Sequence, residues 1–121
     1  MVRGTVFGGQ AIVSLRVADS GGTVSEMDFV IDTGFVGFLV LPPAAIAKLN
    51  PTWLNTTFAK LAGNVRVEAD AFEVVVAWNE EVITVEAIML DGDPMIGMSM
   101  LRGSELRMHV EDGGLVEIDP V

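Results

Sequence analysis

The chain has 121 residues, of which 50% are hydrophobic and 20% charged, a balance that indicates one globular domain, residues 1–121, rather than a disordered chain. Its formal net charge of −10 repels phosphate groups, so we expect no nucleic-acid partner and no binding to anionic membranes. Cysteine is absent, which excludes disulfides, thiolate nucleophiles and cysteine-bound zinc. No signal-peptide segment and no apolar run of roughly 20 residues is present, so we expect a cytoplasmic protein.

The first third of the chain has the pattern of β-strands. Val13, Leu15 and Val17 alternate with polar residues at the period of a half-buried strand. The segment D19-S20-G21-G22 is typical of a turn, and residues 23–31 predict the returning strand of a hairpin. Residues 35–41 are uniformly apolar, which predicts a strand covered on both faces.

The middle of the chain is less regular. Residues 42–49 suit a short helix, with proline at the start and Asn50-Pro51 at the end. Residues 51–66 have no clear period, and their centre, Ala62-Gly63-Asn64, fits either a hairpin tip or a loop. Residues 71–78 and 82–90 then alternate again and predict two strands joined by a turn.

The C-terminal third contains short elements. D91-G92-D93-P94 predicts a turn, residues 98–101 suit a short helix, and residues 106–110 and 115–118 predict two strands. Many short strands separated by turn signals are typical of a small barrel or sandwich. The sequence therefore predicts an all-β fold.

Most catalytic and metal-binding patterns are missing. His109 is the only histidine, and it falls on the polar side of its predicted strand, which argues against a Ser-His-Asp triad and against most zinc sites. Asp91 and Asp93 fit the turn that contains them better than a cation site. The chain has no P-loop and no G-x-G-x-x-G, so no metal and no cofactor is expected.

One carboxylate interrupts an apolar run, in the segment F29-V30-I31-D32-T33-G34-F35. An ionised aspartate among Phe, Val and Ile is costly to bury without partners. Thr33 supplies a hydroxyl, and Gly34 permits a tight turn whose main-chain N–H groups face an anion. The segment predicts a loop that presents the carboxylate of Asp32, although an ordinary turn between two strands has the same composition.

D-T-G between apolar segments resembles the active-site signature of the aspartic proteases, and nearly the whole chain looks like a single-lobed, retropepsin-like member of the bacterial type. M95-I96-G97 before M98-S99-M100-L101 resembles the second signature, two apolar residues and a glycine ahead of a short helix. Gly97 lies 65 positions after Asp32, about the separation expected of the family. Ala62-Gly63-Asn64 falls where the family has the tip of a β-hairpin flap.

This resemblance implies a small closed retropepsin-like β-barrel with a flap hairpin and one or two short helices. It also implies an endopeptidase that needs neither metal nor cofactor. A water molecule is activated between two Asp32 carboxylates of a homodimer, because each chain holds a single D-T-G. The implied catalytic residues are Asp32, Thr33 and Gly34. The implied substrate-binding residues are Val36, Ala62, Gly63, Asn64, Ile96 and Gly97, with a core position as the alternative for Val36 and Ile96.

The chain departs from the retroviral enzymes in regions that concern the dimer and the flap. Those enzymes pair an Asp shortly after D-T-G with an Arg after the later glycine, whereas here the two regions read F35-V36-G37 and M98-S99. Related bacterial sequences often have Asp where Ser99 stands, and viral flaps have several glycines where this chain has one. By family analogy, residues 2–7 and 115–121 are expected to interleave into a dimer sheet.

Two other functions fit the same sequence. A retropepsin-like domain also serves as a peptide-binding or dimerisation module with a catalytically silent carboxylate pair, and peptide binding without turnover distinguishes that case. An unrelated small β-barrel, in which D-T-G is only a turn, predicts no coupling between two Asp32 residues.

Overall fold

The computed structural model describes residues 1–121, and ten strands joined in one sheet make up most of it. The strands are β1 (Val2–Phe7), β2 (Gln10–Ala18), β3 (Val24–Ile31), β4 (Leu39–Leu41), β5 (Thr52–Lys60), β6 (Arg66–Trp78), β7 (Glu81–Met89), β8 (Met95–Ile96), β9 (Ser104–Met108) and β10 (Leu115–Pro120). Two short helices, α1 (Pro43–Leu49) and α2 (Met98–Leu101), and a 3-10 turn at Ala62–Asn64 complete the elements. Neither helix is long and apolar enough to cross a membrane.

The hairpin predicted near the N-terminus is present. Strands β2 and β3 pair antiparallel, with Val13 opposite Phe29. The Asp19 carboxylate accepts hydrogen bonds from the backbone N–H groups of Gly21 and Thr23, both at 2.9 Å. An aspartate that binds backbone N–H groups ahead of it stabilises a turn, which explains why this hairpin is readable from the sequence alone.

Strands β6 and β7 form a second hairpin whose pattern follows the side-chain period of two. Val74, Val76 and Trp78 are buried, and the residues between them are more exposed. At the turn, Asn79 and Glu80 have φ of 49° and 69°. Two successive residues with positive φ match the twist of a tight hairpin, so the predicted turn is confirmed.

The strands form a ring that is closed at one short pairing. The sheet order is β5-β6-β7-β4-β8-β3-β2-β1-β10-β9, and an additional pairing joins β6 to β2. That closure consists of Val17 opposite Val76 and Ala18 opposite Val75. The all-β class is confirmed. The expected closed barrel takes the form of this ring, which contains β2, β3, β4, β6, β7 and β8, while β5 and the strands β1, β10 and β9 lie outside it.

The core has two parts, and the smaller one supports the loop after β3. The main cluster contains 20 buried residues, among them Phe29 and Ile96, which are fully buried. The second cluster consists of Phe35, Val40, Ala59, Ala69 and Ile88. Because Phe35 belongs to this second cluster, the loop after β3 packs against residues of the β5–β6 hairpin.

Both ends of the chain pair within the chain. Strand β1 lies between β2 and β10, with Val2 opposite Ile118, and β10 lies between β1 and β9. A strand has only two edges, and in β1 and β10 both edges are occupied. The expected interleaving of residues 2–7 and 115–121 with a second copy would therefore require these in-chain pairings to break.

The outer strand of this region, β9, is charged. Arg107 donates hydrogen bonds to Asp119, at 2.9 Å, and to Glu105, and it lies 3.8 Å from Glu117. The hydrogen bond to Asp119, followed by that to Glu105, raises the pKa of Arg107, so the guanidinium stays charged. Charged side chains on an outer strand disfavour pairing with a further chain.

One expectation about local structure is wrong, and one segment without a clear period forms a strand. Residues 35–38 do not extend β4 but form a loop, and Phe35 is apolar because it is buried in the second core cluster. Residues 52–60, irregular in sequence, form the long strand β5. This strand is mostly exposed, so its sequence lacks the apolar alternation that marks a half-buried strand.

Candidate active site

Asp32 follows directly after β3, at the point where a neighbouring strand also ends. Strand β8 pairs parallel with β3, with Ile31 opposite Ile96. The backbone N–H of Asp32 donates to the carbonyl of Ile96 at 2.9 Å. The hydrogen bonds between β3 and β8 therefore fix the Asp32 backbone, while the half-buried Asp32 side chain lies in the loop that follows.

The Asp-Thr-Gly segment forms a tight turn around the carboxylate. The Gly34 N–H donates to Asp32 Oδ1 at 2.9 Å, and the Phe35 N–H donates to the Asp32 carbonyl at 3.2 Å. A backbone N–H on a carboxylate offsets part of the cost of removing that charge from water. A Cβ at position 34 would lie 3.2 Å from Asp32 Oδ1, so glycine leaves this side of the carboxylate open.

The rest of the loop is held by the start of α2. The N–H groups of Gly97 and Met98 donate to the carbonyls of Phe38 and Phe35, at 2.9 and 2.8 Å. Ser99 contacts Val36 twice, because its N–H donates to the Val36 carbonyl at 3.1 Å and its hydroxyl donates to the same oxygen. The two segments that the sequence marks as signatures are thus joined by hydrogen bonds.

Gly97 permits this junction because a side chain has no room there. A Cβ at position 97 would lie 2.2 Å from the Gly37 carbonyl oxygen, 2.5 Å from Phe35 Cδ2 and 2.7 Å from the Phe35 carbonyl oxygen. These distances are far below any van der Waals contact. The requirement for glycine here is therefore steric, and the backbone φ of −100° is one that any residue adopts.

A cavity of about 410 Å³ opens beside Asp32 and Thr33. Seven of its eleven lining residues are hydrophobic. The complete set is Val6, Gly9, Gln10, Ala11, Val30, Ile31, Asp32, Thr33, Met95, Met108 and Val110. A carboxylate at the side of an apolar cavity is an arrangement that binds an apolar group and acts on a polar one next to it.

Apart from Ile96 and Gly97, the site residues predicted from the sequence lie in three places. Asp32 and Thr33 line the cavity, and Gly34 follows them in the turn. Val36 lies in the same loop and is 69% exposed. The third place, the exposed tip of the β5–β6 hairpin, holds Ala62, Gly63 and Asn64, none of which lines this cavity.

For Ile96, the structure favours the core position over the pocket. Its side chain is 0% exposed and belongs to the main core cluster, while its carbonyl accepts the Asp32 N–H. The preceding residue, Met95, lines the cavity instead. Since successive side chains of a strand point to opposite faces, only one of these two residues can face the cavity. Gly97 is buried and contributes by allowing close packing.

Sequence reasoning missed the other walls of the cavity. Gln10 and Ala11 come from the start of β2, Met108 is the last residue of β9, and Val110 lies between β9 and β10. No local pattern marks these residues, because their only common feature is that the fold brings them next to Asp32. The exposed apolar residues in this C-terminal region are the one available signal.

Exposed apolar side chains surround the loop on its outer side. Val36 is 69% exposed, Met98 48% and Phe38 40%. The hydrogen bonds from Gly97 and Met98 to the loop bring their segments side by side. Together with the exposed Thr33, these three side chains form a partly apolar surface beside the carboxylate, which we call the loop surface.

The structure contains no group of three or more His, Asp or Glu side chains placed to hold a metal ion. Among solved structures, the crystal structure of a retropepsin-like aspartic protease from Rickettsia conorii resembles this chain, with a TM-score of 0.60 and 15% sequence identity. The similarity covers 98% of this chain and 90% of that one. The chain therefore has a retropepsin-like fold. No protein-family model and no curated protein matches the sequence.

Proposed function

We propose that the protein is an aspartic endopeptidase, and that two copies form a homodimer in which each supplies Asp32. The observation that carries the proposal is the position of the Asp32 carboxylate. It receives a backbone hydrogen bond from Gly34, follows directly after a strand of a retropepsin-like fold, and lines an apolar cavity of about 410 Å³. The substrate class is a peptide or an extended segment of a protein.

The proposed chemistry requires two carboxylates. One accepts a proton from the attacking water, and the other donates a proton to the oxygen of the scissile carbonyl group. Two carboxylates a few Å apart share one proton, because both cannot easily be ionised, and the aspartic proteases are the standard example of this arrangement. With one D-T-G in the chain, the second carboxylate comes from a second copy related by a two-fold axis.

The loop surface supports this assembly. Thr33 and Gly34 are exposed, and the exposed side chains of Val36, Phe38 and Met98 surround them. Burial of these apolar side chains against a second copy is favourable, and it brings two Asp32 loops together. We place the proposed interface at the loop surface and not at the chain ends, because β1 and β10 are already paired on both edges.

The β5–β6 hairpin is the part proposed to cover the substrate. Its tip at Ala62–Asn64 is exposed, while Ala59 and Ala69, at the ends of the two strands next to the tip, are buried in the second core cluster. A hairpin with an exposed tip beyond a buried anchor is suited to close over an extended peptide, which then pairs like an added strand. Closure excludes water from the reacting groups.

A catalytically silent peptide-binding module is the second candidate. The specific observation in its favour is the in-chain pairing of both terminal strands, which removes the interleaved sheet expected of the family dimer. In this case, a peptide binds in the cavity beside Asp32 but is not cut. Binding without turnover distinguishes it from the protease.

The first test is incubation of the purified protein with an unbiased peptide mixture between about pH 4 and pH 7, the range in which carboxyl groups and their pairs titrate. Asp32→Asn serves as the matched control, because asparagine keeps the size of the side chain and an oxygen that accepts the Gly34 N–H. We expect the parent to cut peptides and the variant to cut none, as read by mass spectrometry. Equal cutting by both proteins would contradict the proposed mechanism.

The second test is the mass of the protein in solution under the assay conditions, measured by analytical ultracentrifugation. We expect a species of twice the chain mass, and we expect Val36→Asp to shift it toward the monomer with loss of cleavage. A strict monomer that still cuts peptides in an Asp32-dependent way would contradict the two-carboxylate site.

A further inference from the structure

The loop that joins β9 to β10, His109–Gly114, borders the cavity that contains Asp32; we call it the C-terminal loop. Met108, directly before it, and Val110, within it, both line the cavity. Met108 is 40% exposed and Val110 is 76% exposed. Because Val110 is mostly exposed, core packing does not explain why an apolar residue stands at this position. Its place beside the cavity does explain it.

The C-terminal loop is attached to the N-terminal strand. The N–H of Val6 donates to the Gly114 carbonyl at 2.8 Å, and the N–H of Gly113 donates to the Val6 carbonyl at 2.9 Å. The N–H of Gly8 donates to Asp112 Oδ1 at 3.1 Å. These contacts come from opposite ends of the chain, so the loop has a defined position relative to Asp32.

The loop is also closely packed within itself. The N–H of His109 donates to the Leu115 carbonyl at 2.9 Å, and the N–H of Gly114 donates to the Glu111 carbonyl at 2.8 Å. A Cβ at position 114 would lie 1.8 Å from the His109 carbonyl oxygen, which only glycine avoids. A loop fixed in this way holds Val110 in a constant position, as a wall of a binding site requires.

A second apolar part of the cavity lining belongs to other strands. It comes from the end of β3 and from β8, through Val30, Ile31 and Met95. An apolar side chain inserted into the cavity loses contact with water, whereas an inserted charge loses its hydration without a partner other than Asp32. The cavity therefore favours an apolar group held next to the carboxylate.

From these contacts we infer that Val110 of the C-terminal loop and Met108 directly before it form one wall of a subsite that binds an apolar side chain of a peptide beside Asp32. The inference rests on the proposed function for its ligand class, a peptide, and extends that function by naming the residues that select the side chain. Met108 and Val110 are specificity-determining residues in this account and take no part in the reaction.

The test measures binding without cleavage, in the full-length Asp32→Asn protein. The seven methionines, labelled with ¹³C at their methyl groups, supply one NMR signal each. The probes are short peptides of one polar background whose central pair is Leu-Phe, Ser-Ser or Lys-Lys. We expect the Leu-Phe peptide to shift the signals of Met108 and Met95 in a saturable way and to leave the signal of Met1 unchanged.

A charge introduced at position 110 then tests the wall itself. Val110→Asp is expected to weaken binding of the Leu-Phe peptide about tenfold, since loss of one buried valine contact corresponds to about that factor. It is also expected to improve binding of the Lys-Lys peptide. The matched control is Val82→Asp, because Val82 is 77% exposed, close to the 76% of Val110, and does not line this cavity.

The outcomes separate the inference from the proposed function. If no peptide binds, if the Leu-Phe peptide binds without a shift at Met108, or if both Asp variants bind it equally, the inference is overturned. If the shifts and the Val110 effect are observed and the active parent cuts nothing, the subsite stands and the protease proposal fails. If the parent also cuts, Val110→Asp is expected to move the preferred cleavage sites away from apolar residues.

Discussion

The two segments on which the proposed active site depends, the loop after β3 and the tip of the β5–β6 hairpin, differ in how they are held. In the loop, Phe35 is buried, and the N–H groups of Gly97, Met98 and Ser99 donate to its carbonyls. At the hairpin tip, the Leu61 N–H donates to the Val65 carbonyl at 2.7 Å, and Ala62–Asn64 form a short 3-10 turn with no buried residue.

The side chains show the same difference. A Cβ at Gly97 would collide with backbone and ring atoms, whereas a Cβ at Gly63 would meet no atom within 4 Å. Ala62, Gly63 and Asn64 are all exposed. The molecule thus combines a carboxylate in a rigid setting with a hairpin tip that has few contacts to lose when it moves, which is the combination that a closing site needs.

The largest effect is expected from Gly97→Ala, which tests the rigid half of the comparison. The added methyl group must displace the Gly37 carbonyl or the Phe35 ring, so we expect the free energy of unfolding to fall by about 3 kcal/mol. Thermal denaturation would show a loss of about 10 °C in Tm.

Gly21→Ala is the control for Gly97→Ala. The nearest atom to a Cβ at position 21 is Asp19 Oδ1 at 3.4 Å, an ordinary contact. We expect this variant to unfold within a few degrees of the parent. If Gly97→Ala is as stable as Gly21→Ala, the loop after β3 can rearrange at little cost. The contrast between this loop and the hairpin tip would then be lost.

Amide hydrogen exchange gives the next largest difference. We expect the Met98 N–H, bonded to the Phe35 carbonyl at 2.8 Å, to exchange at least about a hundredfold more slowly than the N–H of Gly63. The rates are to be corrected for local sequence and read by NMR. Equal protection at both positions would mean that the hairpin tip is as rigid as the loop.

Gly63→Ala is expected to have a smaller effect, and a different cause. The backbone φ of 74° at Gly63 is unfavourable for alanine, so we expect a loss of about 1 kcal/mol in the free energy of unfolding, without any clash. Gly63→Asn should lose less, because asparagine tolerates positive φ and Asn64 beside it already has a φ of 61°. If chemical denaturation gives the same loss of unfolding free energy for Gly63→Asn as for Gly63→Ala, the positive φ is not the cause of the loss.

The smallest effect is expected from Ser99→Ala. The variant loses the hydroxyl hydrogen bond to the Val36 carbonyl, but that oxygen keeps the Ser99 N–H at 3.1 Å. We therefore expect a loss of about 0.5 kcal/mol in the free energy of unfolding, measured with urea. Ser14→Ala, which removes an exposed hydroxyl contact to Asp28, serves as the comparison and should cost no more.

Local sequence was sufficient where local forces decide the structure. The hairpin of β2 and β3 follows from alternating apolar residues and from an aspartate that binds the N–H groups of its own turn. The short helix at Pro43–Leu49 follows from proline at its start, and it ends at Asn50, whose φ is 48°. The D-T-G segment predicted a carboxylate-presenting turn for the same reason, since the Gly34 N–H binds Asp32 two residues before it.

Local sequence failed where distant segments meet. The apolar residues 35–38 suggested a strand, but they form a loop in which only Phe35 is buried, in the second core cluster, and which is hydrogen-bonded to the start of α2. The exposed strand β5 has no alternation of apolar residues, because the strand is held by hydrogen bonds to β6 and not by burial of one face. Strands β1 and β10 lie at opposite ends of the chain, and no local pattern indicates that they pair with each other.

The sequence by itself determined the all-β class, the turns and the carboxylate in its D-T-G setting, because each of these depends on residues within a few positions of one another. Only the tertiary structure decided which side chains stand beside that carboxylate. Met95 faces the cavity while Ile96 is in the core, and Met108 and Val110 arrive from the far end of the chain. The physical reason is that strand register and loop packing are set by the summed contacts of the whole sheet, which no short segment contains.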